Sequence, residues 1–243
     1  MNSQLKSFLT IAIMTLATSS KAQNGNYAKV NGLDMYYEIH GEGEPILLLH
    51  GSFMTIGMNY GPLIPDLAKT NKVIAVELQG HGHTADIDRP FSYENFAKDV
   101  AAFLDHLEIK KAHVLGYSLG TTVGLQFAAL YPEKVDRIVF ISSVYKDEGW
   151  IPAVRESIAN LKPEFMTNTP LKGAYDAIAP DKENWNDFLV KMIAFENKPY
   201  YIGLDNIKKL KSPILIINGD YDGVDVSHSK ELFAALGGGG MVL

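Results

Sequence analysis

The chain has 243 residues, 47% of them hydrophobic, with a formal charge of −6 at pH 7 and no cysteine. That length can bury one large core, while the acidic balance and the lack of any Lys/Arg run argue against nucleic acid or an anionic membrane as the main partner. Without cysteine, disulfides, thiolate catalysis and Cys-based zinc sites are excluded, and the composition points to a soluble globular protein with a small-molecule or neutral target.

Lys6 precedes the apolar run Phe8 to Ala17, and small residues follow at Ser20 and Ala22. This is the pattern of a bacterial secretory signal peptide over residues 1–22, cut after Ala22, with export to the periplasm or beyond. The run is short for a bilayer, so no integral span is expected once it is removed.

Alternating residues predict strands at Tyr27–Val30 and Leu33–Ile39, and a continuous apolar run predicts a central strand at Pro45–Leu49. "KVIAVEL" is a second buried strand. "SYENFAKDVAAFLDHL" is an amphipathic helix with Ser92 as N-cap and Phe96, Val100, Phe103 and Leu107 on its inner face. "KAHVLGY" is a third buried strand, "LGTTVGLQFAALY" a helix and "VDRIVFIS" a fourth strand. Strands alternating with helical crossovers predict an α/β fold: a mostly parallel sheet with helices on both faces.

Residues 23–143 thus form the first part of an α/β core. Residues 144–209 change texture, being rich in aromatics, Met and Pro, with Trp185, Phe188, Leu189, Met192 and Ile193 at helical spacing, and read as a helical insertion. Residues 210–243 resume the core with the strand "SPILIING" and the helix "VSHSKELFAALGG".

Gly116-Tyr117-Ser118-Leu119-Gly120 sits where a buried strand meets a helix. That setting makes a G-x-S-x-G match a nucleophile elbow, with Ser118 the nucleophile and Gly116 and Gly120 relieving the crowding around it. Acyl transfer by such a serine needs an oxyanion hole. One donor is the Leu119 N–H; the other comes from the loop of "LLLHGS", Ser52 first and Phe53 next. His50 in that loop reads as a brace for it.

On these residues the chain resembles the α/β-hydrolase fold family, in the broad group of esterases, lipases and C–C bond hydrolases. The matching segments are "GEGEPILLLHGS", "LQGHGHT", "FSYENFAKDVAAFLDHL", "HVLGYSLGTT", "YPEKVDRIVFIS" and "SPILIINGDYD", in family order. The resemblance implies that 144–209 is a cap over the active site and that the acid of the triad is Asp222. Asp220 is then a turn residue and Asp225 the start of the next helix.

The same resemblance implies a catalytic histidine after the acid, and the only one there is His228, at the start of a helix and a weak candidate. The base is therefore not found, and the sequence reads as lacking the family's last strand, histidine loop and last helix, hence as a truncated form of a longer hydrolase with impaired activity. The implied reaction is hydrolysis of a carboxylic ester, with an apolar acyl or alcohol part, through an acyl-enzyme. No cofactor or metal is called for.

Three competitors stand beside it. His81, His83, Asp86 and Asp88 crowd one loop as a metal site would, although the glycines around them suit an α/β-hydrolase loop. A truncated or degenerate homologue could bind small ligands without catalysis. Other chemistries of the fold that keep serine, C–C hydrolysis and cofactor-free peroxidation, differ only in substrate.

Overall fold

A computed structural model of the chain describes residues 25–239; the expected signal peptide lies outside the described residues. The strands are β1 (Asn26–Val30), β2 (Leu33–His40), β3 (Glu44–Leu49), β4 (Asn71–Val76), β5 (Ala112–Tyr117), β6 (Val135–Ile141) and β7 (Ile214–Ile217). They form one sheet in the order β1-β2-β4-β3-β5-β6-β7. β1 and β2 are antiparallel to each other, and β2 runs antiparallel to β4. From β4 to β7 every pairing is parallel.

The period of two along a strand sends neighbouring residues to opposite faces. Leu47, Leu49, Ile74, Val76 and Val114 join one apolar cluster, whereas Leu48, Val73, Ala75 and Leu115 join the other. The second face is covered by Ile56 and Tyr60 of α1 (Ile56–Tyr60) and Ile64 of α2 (Ile64–Leu67). The first face is covered by α3 (Tyr93–His106) and α4 (Leu119–Leu130), through Phe96, Val100, Phe103, Val123 and Phe127. Ser92 caps α3 as expected, its Oγ accepting the Asn95 N–H at 3.0 Å.

Between β6 and β7 the chain is helical: α5 (Pro152–Ala159), α6 (Pro170–Ile178), α7 (Trp185–Glu196) and α8 (Leu204–Lys208). Trp185, Phe188, Leu189 and Met192 of α7 are buried in the large core cluster, as their spacing predicts. Lys191 on the same helix ties the segment to the loop after β4 by pairing with Asp86 at 2.7 Å. After β7, α9 (Val226–Ala235) is capped by Asp225, which accepts from the Ser227 N–H at 2.7 Å. β7 pairs with β6 and has no further strand beyond it among the described residues, and its Leu215 and Ile217 are exposed.

Candidate functional site

β5 ends at Tyr117 and α4 begins at Leu119, so Ser118 alone makes the turn, at φ 50° and ψ −119°. A residue with a Cβ rarely adopts a positive φ, and such outliers persist where the surroundings impose them. Here the Ser118 N–H donates to the Ile141 carbonyl at 3.0 Å, while Thr121 and Thr122 donate to the Ser118 carbonyl at 2.9 and 3.2 Å. Thr121 Oγ1 adds a bond to the Ile141 carbonyl at 2.9 Å. The glycines are steric necessities: a Cβ on Gly120 would lie 1.9 Å from the Leu49 oxygen, and one on Gly116 would lie 2.5 Å from the Thr121 Cα. The hydroxyl of Ser118, a half-buried residue, makes no hydrogen bond to another side chain among the described residues.

The loop after β3 lies against this turn, since a Cβ on Gly51 would meet the Ser118 Cβ at 3.5 Å. The Gly51 N–H is taken by Asn59 Oδ1 at 2.8 Å, and the Met54 N–H by the Gly51 carbonyl at 3.2 Å. The N–H groups between them, those of Ser52 and Phe53, have no protein acceptor among the described residues. Phe53 is itself at φ 62°. On the other side, the first N–H groups of α4 lack partners within the helix by construction, Leu119 among them. The structure therefore brings Ser118, Leu119, Ser52 and Phe53 to one place. His50 braces the loop: its Nδ1 bonds the Gly51 carbonyl at 2.8 Å and its Nε2 accepts the Leu78 N–H at 3.0 Å. Burial holds its pKa below the ordinary value.

The other expected residues are engaged elsewhere. Asp222, in the loop after β7, closes its own turn, its Oδ2 accepting the Gly219 N–H at 3.3 Å. His228 is buried, its Nε2 accepts the Tyr145 N–H at 3.2 Å, and its ring stacks on Tyr145 at 4.5 Å. Burial, followed by the Lys146 charge, pushes its pKa down to about 4. Neither Asp222 nor His228 contacts Ser118 or the other in a hydrogen bond. The H-x-H pair diverges: His81 Nδ1 bonds the Gln79 carbonyl at 3.0 Å, while His83 Nδ1 bonds Glu77 Oε2 at 2.9 Å. Asp86 is taken by Lys191 and Gln79. The four residues of that loop therefore do not converge as one ligand set.

Glu196, the last residue of α7, is a site residue that sequence reasoning missed: Ser52 Oγ donates to its Oε1. Burial raises the pKa of its carboxyl, an effect the Ser52 bond opposes. The signal was legible, because Glu196 falls four residues beyond Met192 and eight beyond Phe188, on the buried stripe of α7. A carboxylate on an apolar stripe asks for a reason. Beside it, Tyr93 and Tyr200 pack at 4.6 Å, and Thr122, one turn into α4, bonds Ser143 Oγ at 2.7 Å. Two cavities of about 450 and 460 Å³ open on the side of the 80–88 loop and of β1 and β2; Ser118 lines neither.

Residues 44–181 match the model of a family described as alpha/beta hydrolase fold. The human serine hydrolase BPHL is 30% identical over 222 residues, covering 87% of this chain and 72% of its own length. A 2-hydroxy-6-oxo-2,4-heptadienoate hydrolase of Pseudomonas putida is 30% identical over 133 residues, 52% of this chain and 47% of that protein. The chain matches about half the length or less of several curated relatives, that one among them. Among solved structures, a meta-cleavage product hydrolase from Pseudomonas fluorescens IP01 superposes with a TM-score of 0.64 at 24% identity, over 86% of both chains, a likeness of fold.

Proposed function

Since the chain belongs to the α/β-hydrolase fold family, we propose that it is a serine hydrolase acting on a carboxylic ester or related acyl compound. The observation that carries this reading is Ser118 at positive φ between β5 and α4, facing a loop whose Ser52 and Phe53 N–H groups have no protein acceptor. In the proposed reaction Ser118 Oγ attacks the acyl carbon and loses its proton, and the carbonyl oxygen gathers negative charge against the N–H groups of Leu119 and Ser52 or Phe53. Collapse breaks the ester C–O bond, the alcohol leaves with a proton, and water then cleaves the acyl-enzyme. The substrate is a small molecule with an apolar part, which the aromatic residues of the 144–209 segment, read as a cap, would enclose.

No histidine is hydrogen-bonded to Ser118 among the described residues. Without a general base, catalysis of about 10³–10⁴ over water remains from the oxyanion hole and binding. Slow turnover by the 243-residue chain is therefore the expectation. Treatment with a fluorophosphonate probe and peptide mapping should find the label on Ser118 and none in Ser118→Ala; a label elsewhere, or none on the wild type, overturns the reading. C–C bond hydrolysis is the second reading, favoured by the named activity of the Pseudomonas putida relative, and release of a carboxylic acid from a vinylogous diketone would support it. The Lys6 and Phe8–Ala17 pattern supports export from the cytoplasm as part of this reading, which N-terminal sequencing from a periplasmic fraction would test by a start after Ala22.

A further inference from the structure

We propose that the chain pairs with a second copy of itself along the outer edge of β7, antiparallel about a twofold axis at Leu215. The inference is independent of the chemistry assigned to Ser118.

β7 is the outermost strand on its side of the sheet among the described residues. Its inner side is spent on β6: the Pro213 carbonyl accepts the Ile138 N–H and the Ile217 carbonyl the Ser142 N–H, both at 3.0 Å. Backbone groups alternate sides along a strand, so Ile214 and Ile216 turn their N–H and C=O groups to the free edge. Pro213, which lacks an N–H, faces β6 and does not blunt that edge. No charge guards it either, since Ile214–Ile217 are all aliphatic. Leu215 and Ile217 stand beside Val139 and Ile141 on one face and are 57% and 42% exposed. An open edge carrying exposed apolar side chains is a template for another strand.

The residues flanking β7 select the strand that fits. Lys208, Lys209 and Lys211 precede it, and Asp220 and Asp222 follow it. None of these is in an ion pair among the described residues. Antiparallel pairing with an identical strand sets the basic end of each copy against the acidic end of the other, whereas parallel pairing sets like charges together. Exposed ion pairs add little affinity, so the charges fix orientation while the main chain and the aliphatic side chains bind. The register follows from the backbone. An axis at Leu215 puts Ile214 opposite Ile216 of the second copy, and such a pair exchanges both of its outward hydrogen bonds. Leu215 then meets its own counterpart across the axis, at the close spacing of a non-hydrogen-bonded pair. The same pairing brings Tyr221, fully exposed in the loop after β7, to the end where Leu210, Pro213, Phe233 and Leu236 line a groove of about 310 Å³. A twofold axis uses the same edge on both copies and closes the assembly as a dimer.

The chain has no cysteine, so a single introduced thiol reports the axis. Under mild oxidation Leu215→Cys should form a disulfide-linked dimer at least about tenfold faster than Tyr27→Cys, because only the first places two thiols within disulfide reach. Tyr27 is a fair control, being exposed on β1 at the opposite edge of the sheet. Sedimentation of the full chain in low salt, where charges are least screened, should show a dimer at about 100 μM. Leu215→Lys, at an exposed position, should raise the dissociation constant at least about tenfold. Charge reversal tests the orientation: Lys208→Glu/Lys209→Glu/Lys211→Glu and Asp220→Lys/Asp222→Lys should each sediment as monomers, and their equimolar mixture as a dimer. A monomeric wild type, equal cross-linking rates, an assembly indifferent to Leu215→Lys, or a mixture that stays monomeric overturns the proposal.

Discussion

His228 accepts the backbone N–H of Tyr145 through Nε2 at 3.2 Å while its ring lies over the Tyr145 ring at 4.5 Å. The hydrogen bond needs the neutral imidazole, and the two contacts together pin α9 against the chain that leaves β6. The sole histidine after Asp222 is thereby a packing residue in this structure. Leucine at 228 is expected to change the rate of Ser118 labelling by about twofold or less, since a general base contributes about 10²–10⁴. A larger fall in labelling would restore His228 as a base.

The same contact sets a pH dependence. The His228 pKa is about 4, below the ordinary 6.5, so between those values the unfolded chain binds a proton that the folded chain does not. Stability therefore rises with pH across that window and is lost as pH falls from 6.5 towards 4. Lys146 beside the ring acts in the same sense, while Glu231, Asp225 and Glu148 oppose it. His81, pushed down to about 3 by burial and then by His50, adds to the slope. Thermal melts from pH 7 to pH 4.5 should show a falling Tm, with a shallower fall in His228→Leu. An unchanged slope in that variant would refute the assignment.

Replacing Ser118 separates strain from chemistry. At φ 50° alanine keeps the strain and glycine relieves it, a difference of about 1–3 kcal/mol less the ~1 kcal/mol glycine loses in the unfolded chain. Urea denaturation should therefore rank Ser118→Gly above Ser118→Ala by about 1 kcal/mol. Equal midpoints would mean that the turn is not strained.

Two glycines in helices should respond in opposite ways to alanine. At Gly120 the new methyl would sit 1.9 Å from the Leu49 oxygen, on backbone that cannot yield, so Gly120→Ala is expected to lose soluble folded protein. At Gly173, an exposed position of α6, nothing lies within 4 Å, so Gly173→Ala should gain about 0.5–1 kcal/mol from helix propensity and a less flexible unfolded chain. Expression yield and denaturation midpoints check both.

Asp99 is fully buried on α3 and paired with Arg89, whose Nη1 donates to its Oδ1 at 2.9 Å; Asn31 Nδ2 donates to the same oxygen at 3.0 Å. Removing one partner from a buried pair leaves a charge without its counter-ion, so Arg89→Met should cost about 3–5 kcal/mol. Pairing it with Asp99→Leu should recover part of that loss. A double variant no more stable than the single one would refute the coupling.

The alternation of apolar runs and amphipathic stretches was enough to read the sheet-and-helix order, because burial on a strand or helix face leaves a period in the residues themselves. The tight turn at Ser118 was legible for the same reason: two glycines flanking it mark a turn too tight for side chains, and the Leu49 oxygen and Thr121 Cα are the atoms that would collide. Contacts between distant segments leave no such period. That Glu196 meets Ser52 across 144 residues, that Asp86 meets Lys191 across 105, and that His228 spends its acceptor on Tyr145 depend on how the 144–209 segment and α9 pack onto the core. A residue's type states what it can bond, and the packing of separate elements chooses which partner it finds.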